Sequence, residues 1–188
     1  MLDDFRQLVK RCLAGEQAAM VELVGQYTGQ VFGLCYRMLG QRQDAEDAAQ
    51  ATFVRVLKSL ARWDATRDFE PWLLAIAGNR CRTALAQRKR RHGSQPLIED
   101  VPDPASDRHA AQQLVEEVNL ALATLRAEYR EAFVLFHEHE LSYAEIAAAM
   151  QVPLGTAKTW VHRARRGLIE HLKQRQIVED SRDVVRKV

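Results

Sequence analysis

Cysteine is scarce: Cys12, Cys35 and Cys81 are the only three in a chain of 188 residues. Three cannot all pair within one chain and no C-x-x-C occurs. Neither a disulfide scaffold nor a Cys-based zinc site is expected, and the usage fits a reducing cytoplasm. An excess of one charge is also missing. Lys plus Arg is 27 and Asp plus Glu is 25, a net charge of +2, so a case for a polyanionic partner has to come from where the charges sit. No run is long and apolar enough to supply the roughly 20 residues that cross a bilayer, so no membrane insertion is expected. The first ten residues, MLDDFRQLVK, hold acids and no apolar stretch, so no secretory signal is expected either. The nine glycines are scattered; no phosphate-cradling loop, G-x-S-x-G elbow or Cys–His signature occurs, and no cofactor is expected. What is present is 47% apolar and 28% charged residues, a balance that suits one or two small globular domains and excludes a disordered chain, a fibre or a membrane bundle.

Proline marks the organisation. Three of the five, Pro96, Pro102 and Pro104, fall in the polar, acidic, aperiodic stretch GSQPLIEDVPDPASD. Such a stretch cannot continue a helix and has little apolar surface to bury. Residues 92–112 are therefore expected to be a flexible linker between domains at 1–91 and 113–175, with a tail over 176–188. Both flanks carry helical periodicity: Phe53, Val56, Leu57 and Leu60; Phe69, Leu73, Ile76 and Ala77; Leu114, Val118, Leu122 and Leu125; Tyr129, Ala132, Phe133 and Phe136. No sustained period-two alternation occurs, so the expected fold class is all-α, with two small helical domains.

Bases gather in two places. Arg80, Arg82, Arg88, Lys89, Arg90 and Arg91 follow one another with no acid between them, and Lys158, Arg163, Arg165, Arg166, Lys173 and Arg175 face only Glu170. Two basic patches in two helical parts suit a protein that spans a duplex. Around the second patch runs LSYAEIAAAMQVPLGTAKTWVHRARRGLIEHL, residues 141–172. Ser142 and Glu145 form a capping-box pair that predicts a helix start. Pro153 and Gly155 predict a turn, with a second helix beginning near Thr156. A short helix, a turn and a longer basic helix make the helix-turn-helix pattern. On the second helix, Ala157, Val161, Ala164, Leu168 and Leu172 form one apolar stripe, while Thr159, His162, Arg163, Arg166 and Lys173 point away from it. Outward hydroxyl, imidazole and guanidinium groups suit base edges and phosphates in a major groove.

These residues carry a resemblance. GTAKTWVHRAR at 155–165 resembles the end of region 4 of extracytoplasmic-function (ECF) sigma factors of the sigma-70 family. DAEDAAQATFVRVLKSL at 44–60 and FEPWLLAIAGNRCRTALAQRKRR at 69–91 resemble the polymerase-docking and −10-contacting helices of region 2. The resemblance implies a promoter-specificity subunit, not itself an enzyme, acting in the cytoplasm at the nucleoid. Its implied partners are core RNA polymerase, through the beta-prime clamp helices and the beta flap, promoter DNA, and an anti-sigma factor. Asp44 reads as the N-cap of a helix, with Glu46 and Asp47 in its first turn; the resemblance implies that Asp44, Glu46, Asp47, Gln50 and Phe53 face the clamp helices. In the family a Glu often follows the Gln; Ala51 stands here instead. It implies that Trp63, Asp64, Asp68, Asn79, Arg82 and Arg88 meet the −10 element, whose flipped bases need a pocket that recovers the cost of unstacking. In region 4 it implies −35 contacts by Lys158, Thr159, His162 and Arg163, with Thr156 and Arg166 nearer the DNA backbone. Trp160 departs from the family's usual basic or small polar residue and flanks the apolar stripe, where it would pack against the first helix of the motif or press on the DNA backbone.

Two other readings compete. A stand-alone regulator with a helix-turn-helix explains residues 141–172 equally well but leaves the DAED helix and the first basic patch unaccounted for. An enzyme would have to draw on His137, Glu138, His139 and Glu140. On a helix His137 and His139 point about 200° apart and cannot share an ion, and the H-E-x-x-H spacing is absent, so no metal site is expected there.

Overall fold

A computed structural model describes the backbone of residues 2–92 and 109–175 and the side chains of residues 4–90 and 116–175. Within it the chain forms α1 (Leu2–Leu13), α2 (Gln17–Leu39), α3 (Arg42–Ser59), a 3-10 turn (Leu60–Arg62), α4 (Phe69–His92), α5 (His109–Thr124), α6 (Ala127–His137), α7 (Tyr143–Met150) and α8 (Leu154–Gln174). All regular structure among the described residues is helical. Helix extends at both ends of the expected linker, to His92 on one side and from His109 on the other. The rest of that segment, and the tail at 176–188, lie outside the described residues. None of the described helices is long and apolar enough to cross a membrane.

In the N-terminal half the apolar stripes converge on one core. Leu8, Val9 and Cys12 of α1, Leu23, Val31, Leu34, Cys35 and Met38 of α2, Val56 of α3 and Leu73, Leu74, Ala77 and Cys81 of α4 are all buried. Each fully buried Leu or Val contributes about 1.5–3 kcal/mol of transfer free energy. The inner face of α3 is mostly small (Ala45, Ala48, Ala49 and Thr52), which lets it lie close against α2. Helix α2 stops at Gly40, whose φ of 75° is left-handed and whose N–H closes on the Tyr36 carbonyl at 2.9 Å. Phe5, Tyr27, Trp63, Phe69 and Trp72 cluster with neighbouring ring centroids 5.0–6.1 Å apart. All three cysteines are buried and free. Contact with Cys35 and burial push the Cys81 thiol up, so it stays protonated.

Two helix starts differ from expectation. Asp44 reads as a helix cap in the sequence, but α3 begins at Arg42 after an extended Gln41. Asp44 thus lies in the first turn, where an acid still opposes the helix dipole favourably. The turn of the helix-turn-helix was expected to extend to Gly155. Instead it spans Gln151 to Pro153, and Gly155 already belongs to α8. Gln151 takes the left-handed conformation (φ 56°, ψ 47°) that ends α7, and Pro153 precedes the first residue of α8 with an extended ψ of 147°. Ser142 caps α7 as expected. Its Oγ accepts from the Glu145 N–H at 3.3 Å while the Glu145 carboxylate accepts from the Ser142 N–H at 2.8 Å.

The C-terminal half packs α6 and α7 on α8. The two halves also touch one another, through α2 and α4 on one side and α5, α6 and α7 on the other, and their buried residues form one continuous cluster.

Candidate nucleic-acid interface

Helix α8 divides as its sequence requires. Ala157, Val161, Ala164, Leu168 and Leu172 are buried, and Lys158, Thr159, His162, Arg163 and Arg166 are exposed in a row on the opposite face, with Thr156 half-buried at its start. The row is held from behind. Arg163 Nη1 donates to the Tyr129 hydroxyl at 2.9 Å, and its guanidinium lies 5.9 Å from that ring. This hydrogen bond from Arg163 holds the Tyr129 phenol below its usual pKa range. Lys158 lies 5.9 Å from the Tyr143 ring. Thr159 Oγ1 donates to the Gly155 carbonyl at 2.7 Å, which orients the hydroxyl and leaves its lone pairs outward. Trp160 is half-buried, its ring 6.4 Å from that of Tyr129 on α6. It packs within the half, beside that ring. Arg165, on the shoulder, meets His137 Nε2 at 3.0 Å.

The N-terminal candidates occupy three places. Glu46, Asp47 and Gln50 are exposed along one side of α3, with Asp44 and Phe53 half-buried beside them. Asp44 lies 3.7 Å from Arg88, and Glu46 meets Arg42 at 2.9 Å. Between α3 and α4 runs a groove of about 480 Å³ whose walls include Asp44, Asp47, Ala51, Arg80, Gln87 and Arg88. Ala51, where the family often has a Glu, presents only a methyl group to that groove. The turn before α4 holds Asp64 and Asp68, both exposed. Asp64 Oδ1 accepts from the Thr66 N–H at 3.0 Å and its hydroxyl at 2.7 Å, and these bonds hold the carboxyl below its usual pKa. Trp63 stands edge-on to Phe5 and Phe69, half-buried, with its Nε1 lacking a hydrogen-bond partner. On α4, Asn79 is exposed. Arg82, three residues on, turns toward the other half and pairs with Glu131. His137 and His139 do not converge: His139 Nδ1 lies 3.5 Å from Glu70 and His137 meets Arg165.

The sequence reading missed Arg37, Arg130, Glu131 and Gly78, all at the contact between halves. A glycine inside a helix did not single the contact out, since Gly25, Gly29 and Gly33 of α2 share that trait with open space around them.

An all-helical fold with an acidic helix beside a basic one and a helix-turn-helix suits a DNA-binding protein of transcription. The family models agree: that of sigma-70 region 2 matches residues 23–91 and that of sigma-70 region 4 matches residues 116–168. The chain is 31% identical to the ECF RNA polymerase sigma factor SigW of Bacillus subtilis (strain 168) over 180 residues, 89% of this chain and 96% of that one. It is 33% identical to the RNA polymerase sigma factor CarQ of Myxococcus xanthus over 176 residues, 90% and 98% of the two chains. Among solved structures, CnrH in complex with the cytosolic domain of CnrY matches with a TM-score of 0.65 at 26% identity, over 90% of this chain and 97% of that one. The chain belongs to the ECF sigma factors of the sigma-70 family. Such a protein binds core RNA polymerase and directs promoter-specific initiation through −10 and −35 elements.

Proposed function

We propose that the work is divided between the halves, 1–91 and 113–175. The outward side of α3, with Asp44, Glu46, Asp47, Gln50 and Phe53 and the groove beside it, takes the beta-prime clamp helices of core polymerase. The turn at Trp63 to Asp68, with Asn79 and Arg82 on one side of α4, receives the −10 strand, and Arg88, on another side of that helix beside Asp44, reaches phosphate just upstream. Trp63 acts there more as a wall than as a stacking plate, since Phe5 and Phe69 already pack against its ring. The exposed row on α8 enters the major groove at −35, with Lys158, Thr159, His162 and Arg163 at base edges and Thr156 and Arg166 at phosphates. The observation that carries this reading is that row, set opposite a fully buried stripe within the region 4 match.

Two weak contacts joined by a tether gain effective concentration, so neither has to bind DNA tightly alone. The polymerase carries the chemistry; this chain needs no cofactor, acts in the cytoplasm at the nucleoid, and touches the beta flap through its C-terminal half. An anti-sigma factor is a further partner, as the family resemblance implies; the similar CnrH is itself seen in complex with the cytosolic domain of CnrY. Transcription in vitro with purified core enzyme, with start sites mapped, tests the reading. Start sites that appear only when this chain is added are expected; unchanged start sites refute it.

A further inference from the structure

The helix-turn-helix does not hold its own side chains unaided. Tyr129, in the first turn of α6, lies ahead of the motif at 141–172 and is half-buried. It meets two residues of α8 that stand one turn apart, Trp160 and Arg163. Arg163 Nη1 donates to the Tyr129 hydroxyl at 2.9 Å, its guanidinium carbon lies 5.9 Å from the ring centre, and the Trp160 ring is 6.4 Å away. Arg126, just before α6, sets a second guanidinium 5.4 Å over the same ring. The exposed row on α8 has four side chains that are cationic or can become so: Lys158, His162, Arg163 and Arg166. Of these, Arg163 is the one held by a hydrogen bond among the described residues.

The post is stiffer than what it holds. Tyr129 is followed by six consecutive buried residues, Arg130 to Leu135, and α6 packs directly on α8, so its backbone is fixed. A tyrosine side chain has two torsions to settle. An exposed arginine is long and spreads over many rotamers unless something pins it. The pin uses little of the head group. A guanidinium carries five N–H groups in a planar fork. The bond to Tyr129 takes one on Nη1 and leaves the Nε–Nη2 edge, with two parallel N–H groups, for a bidentate contact.

We infer that Tyr129 is a positioning residue for promoter discrimination: by holding Arg163 in one rotamer before DNA arrives, it sets how strictly Arg163 reads the −35 element. The role of Arg163 rests on the reading under Proposed function; the hydrogen bond that orders it does not. Ordering acts on discrimination as well as on affinity. A pinned guanidinium loses less freedom when the right base is in place. It also cannot swing to a neighbouring phosphate when the wrong base is there, so the wrong site gains no substitute contact. Specificity at −35 is then shared with a residue of α6 that need not touch DNA.

Transcription by core enzyme reconstituted with the full chain tests the role, on a promoter located by start-site mapping and varied at each −35 position in turn. Four chains are compared: wild type, Tyr129→Phe, Arg163→Ala and the double variant, with circular dichroism as a fold control. Tyr129→Phe keeps the ring beside Trp160 and Arg126 and removes only the hydroxyl. Arg163→Ala is expected to flatten the base preference at one or two −35 positions. Tyr129→Phe should lower the preference at those same positions about fivefold, at unchanged affinity for core enzyme, and should make no further difference in the chain that carries Arg163→Ala. A purely structural part for Tyr129 would instead lower every preference alike, with or without Arg163. Loss spread evenly over the −35 positions, equal loss in both backgrounds, or no loss would overturn the positioning role while leaving Arg163 as a reader. Arg163→Ala with every −35 preference intact would sink the reading of the α8 row, and the role of Tyr129 with it.

Discussion

At the residue scale, Arg163 is the most informative position. It is exposed, anchored on Tyr129 and aimed away from the buried stripe. Arg163→Ala should cost about 1–3 kcal/mol of discrimination at −35, read as loss of transcription on promoters that carry that element. Equal loss on promoters without it would contradict the role. Gln151 offers a stability test. A β-carbon-bearing residue with φ at 56° carries strain that glycine relieves, so Gln151→Gly should raise stability by about 0.5–1 kcal/mol in urea unfolding. A third test is pH. Burial, and for His137 also the nearby Arg165 charge, hold His137 and His139 below the ordinary 6.5, although Glu70 and Glu138 oppose the shift at His139. With folded-state values depressed, the unfolded chain binds more protons, so stability falls as pH drops through about 6.5. Burial shifts Glu131 upward, which works in the opposite sense. The comparison is therefore with the His137→Asn, His139→Asn chain, whose unfolding midpoint should change less between about pH 7.5 and about pH 5.5.

Single helices show how far the sequence could be read. The inner and outer faces of α8 and the Ser142–Glu145 cap were legible because a 3.6-residue period and a local hydrogen-bond pair leave their mark within a few residues. The helix boundaries were less so. Gly155 looked like the turn residue because glycine tolerates left-handed backbone, yet the chain uses Gln151 there, since Pro153 fixes an extended backbone just ahead of α8. Asp44 looked like a cap because of its chemistry, but the helix starts two residues earlier, after an extended Gln41, and Arg42 pairs with Glu46 one turn on. On α3, Asp47→Ala with Gln50→Ala should weaken affinity for core polymerase by about tenfold at unchanged helix content. Unchanged affinity would move the docking face elsewhere.

For the whole molecule, the two-part division of the chain was legible from three prolines and an acidic stretch, whereas the embrace of the halves was not. Glu131 is one acid among 25 Asp and Glu, and the room for it at Gly78 is a single hydrogen atom in place of a side chain 53 residues away. Pairings of that kind follow from three-dimensional shape and leave no periodic trace. The same scale holds the central claim, that one half fixes polymerase and the −10 strand while the other reads duplex upstream. Mapping start sites with core enzyme on templates whose −35 and −10 elements are moved or scrambled one at a time tests it most directly. Initiation should follow both elements and vanish when either is scrambled; initiation indifferent to both, at every template, would contradict it.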